Sequence, residues 1–196
     1  MRNVVALCAV TLLTVAPPAL AAGNTLPDVQ KPAALDAGAK LDELFSELKR
    51  ERNEKAAERI SGRIFAVWNQ SGSANIDLMM QWAQKAIEAK KYDVALDFLD
   101  QVTVMRPDFA EGWNRRATVH FLMDNFAKSM VDIERTLELE PRHFGALSGM
   151  ARIMKNRGRD QLALNAYERV LTIYPMMRSA QGEVATISEE LAGEGI

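Results

Sequence analysis

Few side chains in this sequence have the types and spacing that catalysis or metal binding requires. Its two histidines, His120 and His143, lie apart in the chain, and neither has a Cys or a second His nearby at ligand spacing. The sequence contains no glycine-rich phosphate loop and no GxSxG or HExxH pattern. Glu189 and Glu190 are adjacent and fit a solvated helix face. We therefore predict that the chain is not an enzyme and holds no metal or cofactor.

Methionine and cysteine are the soft ligands that would hold Cu(I), and the chain has 10 methionines and one cysteine. Met79 and Met154 fall at helical packing positions, where methionine commonly fills gaps in a core. Cys8 lies in an N-terminal segment that we expect to be removed, which would leave no thiol for a disulfide or a nucleophile. Core packing is thus the favoured role of the methionines.

The first 21 residues have the pattern of a secretory signal peptide. Arg2 supplies a positive charge, Val4 to Val15 are apolar, and Ala19-Leu20-Ala21 forms a small-x-small cleavage signal. A transmembrane anchor is disfavoured because Pro17-Pro18 interrupts an apolar run that is already short. Residues 22–35 are predicted to be a flexible leader. If the source is bacterial, the exported chain is expected in the periplasm.

Charge gives no support to a nucleic-acid or membrane-surface partner. The formal net charge of the whole chain is −2, and loss of Arg2 with the signal peptide makes the mature chain one unit more negative. A protein near neutrality has no overall attraction to phosphate backbones or anionic lipids. We predict a protein or peptide partner and no nucleic acid.

The sequence pattern of the predicted helices repeats with a period of 34 residues. Small residues occupy two fixed positions of the period, and a proline ends each unit. A small residue allows two helices to approach closely, and proline cannot continue a helix. The three sets are Ala83, Ala117, Ala151 and Ala185; Ala95, Ser129 and Ala163; and Pro107, Pro141 and Pro175. This periodicity indicates a stack of helix-turn-helix units.

The pattern Trp113, Ala117, Ser129, Ile133 and Pro141 resembles the tetratricopeptide repeat. The resemblance implies an all-α fold, a right-handed α-solenoid of stacked helix pairs. Three units are expected at residues 76–109, 110–143 and 144–177, followed by a capping helix at 178–192. A degenerate helix pair is expected at 36–74.

The degenerate pair is defined by carrying the same register back towards the N-terminus. Phe45, Ser61 and Phe65 then take the positions that Met79, Ala95 and Leu99 hold in the first clear unit. Lys49 occupies the usual alanine position. The register therefore predicts an additional, imperfect repeat stacked ahead of the other three.

In this family the first helix of each pair lines a concave surface that takes an extended peptide or a partner helix. The resemblance thus implies a partner-binding groove, and Arg152 with Lys155 could pair with a carboxylate there. The residues at the family's groove positions are Met80, Gln84, Ile87, Asn114, Thr118, Phe121, Ser148, Arg152 and Lys155.

Some members of the family clamp the C-terminal carboxylate of chaperones with Lys, Asn and Arg side chains on successive first helices. At the matching positions this chain has other residues, and two are glycine: Met80, Gln84, Arg115, Gly145 and Gly149. The clamp is therefore absent. Two functions stay open, an exported adaptor that joins envelope proteins and a holdase-like factor that captures extended clients through residues such as Phe121, Ile87 and Met80.

Overall fold

The computed structural model describes the backbone of residues 30–193 and the side chains of residues 37–193. Within that range it consists of nine α-helices and contains no strand. No helix there is long and apolar enough to cross a lipid bilayer. The helices are α1 Gln30–Arg50, α2 Glu54–Trp68, α3 Ala74–Glu88, α4 Tyr92–Met105, α5 Ala110–Leu122, α6 Phe126–Leu139, α7 Phe144–Asn156, α8 Asp160–Ile173 and α9 Arg178–Gly193.

Three helix hairpins, α3–α4, α5–α6 and α7–α8, form the repeats and span residues 74–105, 110–139 and 144–173. The small residues of the period lie at the helix contacts, where Ala83, Ala117 and Ala151 are buried. In the second repeat the Ser129 Oγ donates a hydrogen bond of 2.8 Å to the Ala117 carbonyl oxygen, which requires a close approach of α5 and α6. The prediction of an all-α solenoid of helical repeats is confirmed.

Neighbouring repeats also approach closely at Gly112, where α5 packs on α4. A methyl group added at Gly112 would lie 2.8 Å from Val102 Cγ1, inside van der Waals contact. Glycine at this position therefore sets the distance between the first and second repeats.

The turn inside each repeat has one conformation, set by a residue in the left-handed region. Lys90, Asp124 and Gly158 stand 34 residues apart in the sequence and have φ of 56°, 57° and 64°. In each turn the next residue donates its N–H to a carbonyl five residues back, as Arg159 does to Met154 at 2.9 Å. This is a Schellman motif, which satisfies the last carbonyls of a helix.

The N-terminal hairpin, α1–α2, is present but does not lie where the register places it. Its apolar side chains share one core with α7, α8 and α9, among them Leu44, Leu48 and Ile64 against Leu147 and Tyr167. The separate core of the first repeat includes no side chain from the described part of α1 or from α2. The hairpin thus folds back along the third repeat and is not the first member of the stack.

Two ion pairs between residues far apart in the sequence accompany this placement. Arg142 donates to Asp42 of α1 at 2.6 Å, and Arg178 donates to Glu54 at the start of α2 at 2.9 Å. Ser61, which takes the position of Ala95 in that register, donates within α2 to the Glu58 carbonyl oxygen at 2.9 Å. The register carried back through Phe45, Ser61 and Phe65 therefore does not describe how α1 and α2 pack.

The start of the first helix and the exposure of one residue in the last helix also differ from expectation. Helix α1 begins at Gln30, so residues 30–35 are helical and not part of a flexible leader. Pro32 is compatible with this start because the first N–H groups of a helix have no intrahelical partner. The predicted signal peptide, 1–21, and the rest of the leader lie outside the described residues. At the other end Ala185 is exposed, because no described helix pairs with α9 as α4 pairs with α3.

Gly158→Ala is expected to destabilise the protein by about 1 kcal/mol, because a Cβ disfavours the left-handed conformation of this turn. Gly182→Ala is the matched control, since Gly182 lies in α9 with open space around its Cα. There alanine should stabilise by up to about 1 kcal/mol. Chemical denaturation of both variants measures the difference, and equal effects of the same sign would contradict this account of the turn.

Candidate functional site

The concave side of the second and third repeats contains a cleft of about 130 Å³ between α5 and α7. Five of the nine predicted groove residues line it: Asn114, Thr118, Phe121, Ser148 and Arg152. Its floor is made of small or apolar side chains, including Ala117, Ile133 and Gly149. The period of 34 residues brings these positions together because it places equivalent faces of α5 and α7 side by side.

Arg152 is the most available charged group of this cleft. Its guanidinium lies 4.5 Å from the centroid of the Phe121 ring, in a cation–π contact, and the residue is exposed. Within the described part of the chain Arg152 forms no ion pair. The stacked ring fixes the stem of the side chain while its N–H groups stay free to donate to a carboxylate.

The polar residues of the cleft are already oriented by bonds within the chain. The Asn114 amide donates to Glu111 Oε2 at 3.0 Å, and the Thr118 hydroxyl donates to the Asn114 carbonyl oxygen at 3.0 Å. The Ser148 hydroxyl donates to the Phe144 carbonyl oxygen at 2.8 Å. Each side-chain oxygen keeps lone pairs that can accept from a bound backbone N–H.

A second recess of about 480 Å³ lies on the first and second repeats and contains the predicted residues Met80 and Gln84. Gln84 donates to Glu88 at 2.8 Å and accepts from Arg115 at 2.9 Å. Met80 is 4% exposed and belongs to the core of the first repeat, so little of its side chain is available to a ligand. Asn69, at the end of α2, also lines this recess, which sequence reasoning did not foresee.

The last two predicted groove residues, Ile87 and Lys155, lie outside both the cleft and the second recess. Ile87 is half-buried and packs on the core of the first repeat. Lys155 forms an ion pair of 2.8 Å with Glu183 of α9. Arg152 and Lys155 are thus not a joint carboxylate site, because Lys155 already has an anionic partner.

A buried charged group, absent from the sequence-based prediction, lies beside the concave surface. The Glu111 carboxylate is almost fully buried between Arg115, at 2.9 Å, and His143, at 3.2 Å. His143 is the N-cap of α7, and its Nδ1 accepts the N–H of Ala146 at 3.1 Å. Since Nδ1 accepts, the proton of a neutral His143 is on Nε2, from which it is donated to Glu111.

The electrostatics of Glu111 follow from these contacts. Burial by itself raises the pKa of this carboxyl, but the His143 hydrogen bond and the charge of Arg115 act in the opposite direction and prevail. The pKa of Glu111 is therefore lowered from its ordinary value of 4.5. A carboxylate with a lowered pKa stabilises the folded state above its ordinary pKa, and that stabilisation is lost as the pH falls towards the folded value.

The cluster of Glu111, Arg115 and His143 also holds the N-terminal hairpin against the repeats. The Trp68 ring stacks on the His143 ring with centroids 4.0 Å apart and planes within 9°. Next to it Arg115 donates to the Asn69 side-chain oxygen at 2.8 Å. No periodic pattern in the sequence marks Glu111 and His143 as partners of the hairpin, because these contacts join unlike segments of the chain.

Both histidines are buried, His143 at 0% and His120 at 8% exposure. Burial lowers the pKa of His120, and its ring packs near Asp132, with Nε2 4.0 Å from the carboxylate. Among the side chains of residues 37–193 there is no cluster of three or more His, Cys, Asp and Glu that could hold a metal ion.

Comparison with known sequences supplies one strong match. A TPR repeat-containing protein of Rhizobium etli is 54% identical over 176 residues, which cover 90% of this chain and 86% of that protein. No family model matches the chain.

Solved structures of similar shape are also helical-repeat domains. The first TPR domain of Spaghetti (RPAP3), bound to the HSP90 peptide SRMEEVD, superposes with a TM-score of 0.57 and 25% identity. The match covers 60% of this chain and 93% of that domain. MamA superposes with a TM-score of 0.57 over 83% of both chains, and its 15% identity supports the fold alone.

Glu111→Gln is expected to destabilise the protein at neutral pH, because it removes the buried charge that pairs with Arg115 and His143. The difference in melting temperature from wild type should shrink as the pH falls below the ordinary carboxyl pKa of 4.5. Glu138→Gln is the control, since the Glu138–Arg135 pair is exposed and should contribute little. A difference for Glu111→Gln that does not vary with pH would refute the assignment.

Proposed function

The chain belongs to the tetratricopeptide-repeat proteins, and on that premise we propose that it is a non-catalytic interaction module. It binds an extended peptide or a helix of another protein in the cleft between α5 and α7. The partner carries at least one carboxylate, which Arg152 recognises.

The observation that carries this proposal is the stacked pair of Arg152 and Phe121 in the cleft. An exposed guanidinium held over an aromatic ring offers a cation of fixed position beside an apolar surface. Asn114, Thr118 and Ser148 lie in the same cleft and supply oriented polar groups. Such a mixture suits a peptide, whose backbone needs hydrogen bonds and whose side chains need both apolar and charged contacts.

The peptide-bound RPAP3 domain supports peptide recognition by this fold, but the recognising residues must differ here. Gly145 and Gly149 stand at two positions where the chaperone clamp has polar or charged side chains. Arg115, at a third, is already bonded to Glu111, Gln84 and Asn69. The ligand of this chain is therefore proposed to be an internal acidic segment and not a C-terminal carboxylate.

Between the two functions kept open by the sequence, the adaptor is favoured over the holdase. A holdase that captured unfolded clients in the groove would need a broad apolar surface there. Met80 is buried, Ile87 is half-buried in the first repeat, and the face of Phe121 is covered by Arg152. A narrow, partly charged cleft fits a defined partner better than a range of extended clients.

The cell envelope is the proposed place of action, and this part rests on the N-terminal sequence alone. The segment from Arg2 to Ala21 has the charge, apolar run and cleavage signal of a secretory signal peptide. An exported adaptor would then join proteins of the periplasm or its membranes.

Arg152→Ala is expected to weaken partner capture strongly while leaving the melting temperature near that of wild type, because Arg152 is exposed. The measurement is site-specific photocrosslinking in the native compartment, with the photoreactive residue at the exposed position Thr118. Arg157→Ala is the matched control, since Arg157 is also exposed and lies over a ring, Phe126, at 5.7 Å, outside the cleft.

Two results would contradict the proposed groove. One is crosslinking from Thr118 that is no stronger than from Val131, an exposed position on α6. The other is an equal loss of capture in Arg152→Ala and Arg157→Ala, which would indicate a general charge effect.

Export makes a separate prediction about the mature N-terminus. Protein recovered from the native host should begin at Ala22 and appear in the envelope or periplasmic fraction. Intact-mass measurement and N-terminal sequencing check this, and an intact Met1 or Arg2 in the folded protein would refute the signal peptide.

A further inference from the structure

Each repeat after the first uses the same positions to pack on the repeat before it. In α5 these positions hold Gly112, which meets Val102 of α4, and Arg116, which donates to Asp100 and Thr103 of α4. The equivalent residues of α7 are Ala146, which is buried, and Met150, which is half-buried. The shared positions form a stacking face whose residues are 34 apart in the chain.

The same positions in the first repeat hold large apolar residues that are partly exposed in the described part of the chain. They are Leu78 and Trp82 of α3, each 42% exposed. A preceding repeat would cover them, but the α1–α2 hairpin packs against the third repeat instead. The stacking face of the first repeat is consequently uncovered in the described part of the chain.

Helix α4 extends this uncovered surface. In the second repeat the matching positions of α6 are Lys128 and Asp132, which border a recess on α4. Their first-repeat counterparts are Val94, 43% exposed, and Phe98, whose ring packs on Trp82 at 5.4 Å. We call Leu78, Trp82, Val94 and Phe98 the open face.

The open face replaces an ion pair with an aromatic pair. In the second repeat Arg116 donates to both oxygens of Asp132, at 2.7 and 2.9 Å, while it also reaches the preceding helix. Trp82 and Phe98 occupy those two positions in the first repeat. Exposed tryptophan, as at Trp82, is a residue type that commonly anchors protein interfaces.

We propose that the open face is the contact surface of a homodimer, in which two copies meet about a two-fold axis through their first repeats. In this contact the second copy covers the positions that a preceding repeat covers in the second and third repeats, and it does so with its own open face. Because both copies present the same apolar face, one two-fold contact covers both and closes the assembly.

Head-to-tail stacking of copies is disfavoured by the other end of the solenoid. The exposed side of α9 carries Ala185, Ser188 and Glu189, which are small or polar. Packing the open face on this surface would bury the Glu189 carboxylate against Trp82 without a partner. The rim of the open face carries Lys85 and Asp97, one charge of each sign, so a two-fold contact need not oppose like charges.

The size of the face sets the expected strength of the dimer. Two helices of 15 and 14 residues are about 22 Å long and lie about 9 Å apart, which gives roughly 400 Å² of contact per copy. A stable interface buries about 800 Å² per partner. The dimer is therefore weak and dependent on concentration.

Sedimentation equilibrium of the full mature chain over a wide concentration range tests the proposal. Wild type should approach the mass of a dimer as the concentration rises. Trp82→Glu places a charge in the apolar contact and should weaken dimerisation by more than about tenfold, which corresponds to 1.4 kcal/mol. Leu78→Ser is a second variant in case Trp82→Glu loses its helical circular-dichroism signal.

Two control variants separate the open face from other contacts. Val104 is 79% exposed in the same repeat, and its counterpart in the second repeat is the exposed Glu138. Val104→Glu should therefore dimerise as wild type does. Ala185→Arg, on the exposed side of α9, should also leave the dimer unchanged.

Three outcomes would overturn the proposal. A wild-type chain that stays monomeric at every concentration shows that the face has no second copy as its partner. Dimers that persist in folded Trp82→Glu and Leu78→Ser place the contact elsewhere. Loss of dimers in Ala185→Arg indicates head-to-tail stacking.

Discussion

The stacking of Trp68 on His143, above the buried Glu111 carboxylate, is the contact on which the arrangement of the whole chain depends. It joins the end of α2 to the start of α7, and the Arg115–Asn69 bond lies beside it. A buried carboxylate is stable only when it is paired. Both partners of Glu111, Arg115 and His143, also contact the end of the hairpin, through Asn69 and Trp68. Together with the apolar core that α1 and α2 share with α7, α8 and α9, this group holds the hairpin on the third repeat and so leaves the first repeat uncovered.

The hairpin changes what the repeats can bind. Asn69 forms part of the wall of the recess on the first two repeats, and Phe65 approaches Gly145 at the edge of the cleft between α5 and α7. The concave surface is thus shared between the repeats and an element that is not one of them. A partner in the cleft would meet residues fixed by the hairpin as well as the periodic residues of α5 and α7.

The parts of the fold that could be predicted from sequence are those governed by neighbouring residues. Ala83, Ala117 and Ala151 mark helix contacts because a small side chain is needed wherever that contact recurs, and the period makes it visible. The resemblance to the tetratricopeptide repeat implied that Asn114, Phe121, Ser148 and Arg152 would share one surface. The Lys155–Glu183 pair and the Trp68–His143 stack could not be predicted, because each occurs once and joins segments with no common pattern.

One residue of α1, Lys49, gives a physical reason why α1 and α2 do not pack in the register of the repeats. Lys49 stands where Ala83, Ala117 and Ala151 allow the two helices of a repeat to come together, and it is exposed. A charged chain of that length cannot occupy a buried helix contact without losing its hydration. The hairpin therefore cannot adopt the close packing of a repeat, and it cannot present the surface that α3 would need for stacking. Its apolar residues Leu44, Leu48 and Trp68 still have to leave water, and the third repeat and α9 provide the apolar surface that covers them.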